Sequence, residues 1–71
     1  INFEFSLNFA QYIYFQIFNI KGELVETLIQ KQLSSGNHSL SWNATDHSSG
    51  IYFIKINSES YSQTEKIFYL K

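Results

Sequence analysis

Apolar and polar residues alternate with a period of two along most of this chain, and turn-forming residues punctuate the alternation every 8–12 positions, the spacing of short antiparallel strands. Ile1, Phe3, Phe5 and Leu7 alternate with Asn2, Glu4 and Ser6, which gives a first strand with one polar face. Asn8-Phe9-Ala10-Gln11 reads as a turn. Ile13, Phe15 and Ile17 then alternate with Tyr12, Tyr14, Gln16 and Phe18. Both sets of that strand carry large rings, so it is expected to be covered on both faces. Asn19-Ile20-Lys21-Gly22 makes a tight connection, with Gly22 free to take a positive φ.

A third strand is expected from Glu23 to Ile29, although Leu24, Glu26 and Leu28 have helix propensity. Gln30 to Ser35 reads as a polar connector, a loop or short edge strand anchored by Leu33. His38, Leu40 and Trp42 alternate with Asn37, Ser39 and Ser41 in another half-buried strand that Gly36 introduces. Asn43 to Gly50 is a turn rich in residues that satisfy backbone groups locally. Ile51 to Ile56 is the clearest strand, with Tyr52, Ile54 and Ile56 on one face. Asn57 to Ser60 turns the chain, and Tyr61 to Leu70 forms the last strand. Six or seven short strands without a helix imply an all-β fold, a small antiparallel immunoglobulin-like sandwich; a small barrel is the alternative. There is no proline, so the free edges are expected to be guarded by Lys21, Lys31, Lys55 and Lys66.

Seventy-one residues make one domain, near the lower limit for a self-sufficient core. No cysteine is present to cross-link it, but seven Phe, five Tyr and one Trp supply large apolar surfaces. Trp42 is the expected core anchor, and its indole N–H then needs an acceptor. Contact with a neighbouring domain would add further stability. The formal net charge is −1 and no basic cluster is visible, which argues against nucleic-acid binding. No apolar run approaches the ~18 residues of a membrane helix. The first residues do not form a signal peptide, and the missing initiator Met is read as the mark of a fragment or processed product.

Catalytic material is scarce. His38 is in phase with Leu40 and Trp42, which points to packing or a turn. His47 adjoins Asp46, with Ser49 nearby, but catalytic triads are assembled by the fold rather than by neighbours on one loop, and loop solvation is the expected role. Asn43, Asp46 and Ser48 offer one carboxylate, too few for a firm calcium site, so neither a metal nor a cofactor is expected. Exposed members of the set Tyr12, Tyr14 and Phe18 would suit sugar stacking, or else packing under a loop or against a neighbouring domain.

Four segments in order carry a resemblance. These are Phe18-Asn19-Ile20-Lys21-Gly22-Glu23-Leu24-Val25, then Gly36, His38 and Trp42, then Ser49-Gly50-Ile51-Tyr52, and finally Lys66 through Lys71. Together they resemble the type IX secretion C-terminal sorting domains of the type A kind, which are related to the immunoglobulin-like domain of flagellar hook-capping proteins. The resemblance implies a non-enzymatic address at the end of a larger secreted precursor. It implies an attached N-terminal cargo, recognition by translocon components, removal by a sortase-like peptidase, and delivery to the surface or medium of a Gram-negative bacterium. Mapped onto this chain, the recognised residues would be Gly50, Tyr52, Lys66, Ile67, Phe68, Tyr69, Leu70 and Lys71, with Asn19, Gly22, Gly36 and Trp42 as structural motif positions. The alternative is an immunoglobulin-like accessory module that binds carbohydrate or a neighbouring domain.

Overall fold

The computed structural model describes residues 1–60 and 62–71. Among the described residues six strands are formed: β1 (Asn2–Leu7), β2 (Gln11–Asn19), β3 (Leu24–Leu33), β4 (Gly36–Ser41), β5 (Gly50–Asn57) and β6 (Ser62–Tyr69). They build a two-stranded sheet, β1-β4, packed on a four-stranded sheet in the order β3-β2-β5-β6, with every pairing antiparallel. This is the small all-β sandwich that the alternation implies, and no helix occurs among the described residues. Tyr61, expected to open the last strand, lies outside the described residues.

The period-two pattern places Ile13, Phe15 and Ile17 on the inner face of β2, each at most 1% exposed. Tyr52 and Ile54 of β5 join them, and Phe3 and Phe5 of β1 close the top by packing on Phe15, at ring-centroid distances of 5.3 and 5.8 Å. A smaller cluster of Leu7, Ile13 and Leu33 fills the opposite end. The outward residues Tyr12 and Tyr14 remain exposed, so β2 is covered on one face rather than on both.

Three further details depart from the sequence reading. Residues 30–33 are not a connector: β3 continues to Leu33, which is buried and pairs with Gln11. Register shifts between Phe15 and Gln16, and between Ile17 and Phe18, leave extra residues on β3. Such bulges place Val25 and Leu28 against the core beside Ile29 and account for the helix-like spacing of apolar residues there. Finally, Lys31 and Lys66 do lie on edge strands, but Lys55 lies on the central strand β5 and Lys21 in a turn.

Candidate functional site

Most of the candidate residues converge on one end of the sandwich, where Trp42 organises them, while Gly36, paired with Leu7, lies at the other. Its side chain, 1% exposed, sits just beyond β4, where the chain crosses from the small sheet to the large one. The backbone of Trp42 exchanges hydrogen bonds with Ile1: Trp42 N donates to Ile1 O at 2.8 Å and Ile1 N donates to Trp42 O at 3.1 Å. The indole packs edge-on to Tyr52 at 5.1 Å and against Tyr69 at 6.1 Å. Its Nε1–H donates to Glu26 Oε1 of β3 at 3.3 Å, the acceptor that burial of an indole demands. One residue thus joins three elements, its backbone holding Ile1 ahead of β1 and its side chain meeting the edge strand β3 and the last strand β6.

Tyr52 is 6% exposed, and its hydroxyl donates to Ser48 O at 2.6 Å, which closes the loop ahead of β5. Gly50 opens β5 with φ at 152°, a region that side-chain-bearing residues rarely enter. Its partner across the ladder is Tyr69. Asn19 shapes the β2–β3 turn: its Oδ1 accepts from Lys21 N at 2.9 Å and Glu23 N at 3.0 Å, while its Nδ2 donates to Glu23 Oε1 at 2.9 Å. Gly22 completes that turn at φ 83°. Gly36 pairs with Leu7 at the start of β4. The motif positions Asn19, Gly22, Gly36 and Trp42 therefore all have defined places in turns, ladders or core.

The two histidines are occupied by packing. His38 stacks on Phe5 at 5.5 Å and its Nε2 lies 2.7 Å from Ser34 O. The His47 ring lies against Trp42 at 5.5 Å and is half-buried, so it is not the solvated loop residue the sequence suggested. Asp46 is exposed, and the Ser49 hydroxyl accepts from Lys71 N at 2.8 Å. Asn43 Oδ1 accepts from both the backbone N and the hydroxyl of Thr45. Among the described residues no group of three His, Cys, Asp or Glu is placed to hold a metal.

The last strand presents a distinctive surface. β6 is an edge of the large sheet, paired with β5. Its residues alternate in fate: Ile67 and Tyr69 pack against the core, while Phe68 is 74% exposed and Leu70 beyond it 89%. Lys66 points to the same face as Phe68, with Nζ 5.9 Å from the ring centroid. Of the eight positions that the resemblance marks for recognition, the side chains of Lys66, Phe68, Leu70 and Lys71 face solvent, Ile67 and Tyr69 are half-buried, and Gly50 and Tyr52 support them from β5. No helix is long and apolar enough to cross a membrane among the described residues.

No curated protein sequence and no solved structure matched the chain. A family model described as "Secretion system C-terminal sorting domain" matches residues 1–69. That match spans every strand and motif position above, and the chain accordingly belongs to the family of type IX secretion C-terminal sorting domains.

Proposed function

We propose that this domain is the address by which an N-terminally attached cargo is taken through the type IX translocon, with the strand β6 as the feature that is read. The observation that carries the proposal is the pairing of family membership with an exposed edge: among the described residues β6 pairs with a strand on one side alone, and Phe68 and Leu70 stand out into solvent beside it. An edge strand is a ready template for a partner strand, with main-chain bonds supplying affinity and alternate side chains supplying selectivity. Ile67 and Tyr69 anchor the strand to the core, so the partner meets a preformed edge rather than a coil that must first be ordered.

In this reading the partners are translocon components and then a sortase-like peptidase. The domain is the end of a larger secreted precursor, and the product reaches the surface or medium of a Gram-negative bacterium. The domain does no chemistry of its own. The test is export of a reporter fused ahead of Ile1 in a host with a working type IX translocon and in one without it. Removal of Ile67 to Lys71 should abolish export, and unchanged export would rule the proposal out.

A second reading, an accessory module that binds carbohydrate, draws on the opposite end of the outer face. Tyr12 and Tyr14 are 37% and 39% exposed, their rings 5.2 Å apart. With Gln32, Asn57 and Glu59 they line an open hollow of about 650 Å³. The rings are inclined at 59° and the Tyr12 hydroxyl already donates to Gln30 O, so they do not form a flat stacking platform. Titration with oligosaccharides separates the two readings.

A further inference from the structure

The outer face of the four-stranded sheet divides into halves of different chemistry. Tyr12, Tyr14, Gln32 and Asn57 occupy one end. At the other end the ladder register aligns Leu24, Phe18, Phe53 and Lys66 in a row across all four strands, with Ile51 paired to Phe68 in the next. Leu24 is 54% exposed and Phe68 74%, and the remaining apolar members are half-buried. The core lies on the opposite face, so these side chains are not required to hold the sandwich together. A contiguous exposed apolar patch on a small domain marks an interaction surface.

Charge selects the occupant. Along the outward positions of β2, β3, β5 and β6 the described residues include Lys55 and Lys66 and no carboxylate. Glu23, in the turn at this end, accepts a hydrogen bond from Asn19. A second copy of the chain brings the same face, without a carboxylate to pair with Lys55 and Lys66, so self-association gains nothing from these charges. A sheet face is broad and open, and fits an extended surface better than a compact ligand.

We propose that this half of the outer face docks onto an anionic lipid surface. Phe68, Phe53 and Leu24 enter the boundary between headgroups and acyl chains, and Lys66 and Lys55 lie against headgroup phosphates. Apolar side chains gain by leaving water at that boundary, and each lysine near an anionic leaflet strengthens binding about fivefold at low salt. The contact shares Phe68 with the strand-addition reading but uses the sheet face where that reading uses the backbone edge, and it does not depend on the sorting assignment.

The experiment is sedimentation of the 71-residue chain with vesicles of phosphatidylglycerol and phosphatidylcholine in equal parts, against vesicles of phosphatidylcholine alone. Retention is expected on the anionic vesicles at low salt, with loss at high salt and on the neutral vesicles. Lys55→Glu with Lys66→Glu should weaken retention by about tenfold or more, Phe68→Ser by a similar factor, and Tyr12→Ser not at all. Circular dichroism verifies that each variant keeps its strands. Absence of retention by the wild-type chain overturns the proposal, as does retention indifferent to the lysine reversals. Capture on immobilised polyglutamate with none on vesicles would assign the face to an acidic protein and overturn it as well.

Discussion

The indole N–H of Trp42 donates to the carboxylate of Glu26, 16 positions earlier in the sequence, and so ties the edge strand β3 to the crossing that leads from the small sheet to the large one. Trp42 is almost wholly buried, whereas Glu26 is half-buried, so the carboxylate reaches solvent on one side and the indole on the other. Removal of the acceptor leaves a buried donor without a partner. Glu26→Leu should therefore cost about 1–3 kcal/mol, and Glu26→Gln, which keeps an oxygen in place, about half of that or less. Urea unfolding followed by circular dichroism measures both. Equal loss in the two variants would mean that the charge, not the hydrogen bond, matters.

Trp42 itself should be indispensable. A domain of 71 residues has about 4–11 kcal/mol of stability in total. Truncation of a buried aromatic costs about 3–5 kcal/mol. Trp42→Ala also breaks the packing that joins Tyr52 and Tyr69, so the variant should be largely unfolded at 37 °C, a loss visible as collapse of amide dispersion in a proton–nitrogen NMR spectrum.

The β2–β3 turn offers a cleaner comparison. Gly22 sits at φ 83°, with open space where a Cβ would be, so Gly22→Ala meets conformational strain alone. The expected cost is about 1–2 kcal/mol. Asn19→Ala removes the acceptor for Lys21 N and Glu23 N but leaves two exposed amides that water can satisfy, so about 1 kcal/mol is expected. Thermal melts of the two variants and of the double variant give both values, and because the residues shape one turn the effects should not simply add.

The fold was legible in the sequence wherever alternation was regular. β1, β2 and β5 each bury a single parity of residues, and a strict period of two needs no knowledge of the partner strand. β3 was the exception. Two register shifts put consecutive apolar residues on the same side, and local pattern then gives neither the strand's length nor the burial of Leu33. The role of Glu26 was also hidden, because a glutamate in a strand signals solvent until the indole across the sandwich is known. His47 was misread for a related reason: its ring is half-buried only because the loop 43–49 folds back onto Trp42. The alternation of Lys66, Ile67, Phe68, Tyr69 and Leu70 was visible and Lys66 hinted at a free edge, but Lys55 gave the same hint on the central strand β5, so a lysine alone did not identify the edge.

That edge leads to the most discriminating prediction, because it separates folding from recognition. Phe68 and Leu70 make little contact with the rest of the domain, so Phe68→Ser with Leu70→Ser should change unfolding free energy by no more than about 0.5 kcal/mol. Ile67 packs against the core, and Ile67→Ala should cost about 1–2 kcal/mol while leaving the outward side chains untouched. If β6 is read by a partner, the double serine variant loses export of a fused reporter although it is as stable as the parent. The Ile67 variant, less stable yet intact on its outer surface, retains export at temperatures where it is folded. The reverse ranking, with export following stability, would show that the translocon requires a folded domain but not the side chains of this strand.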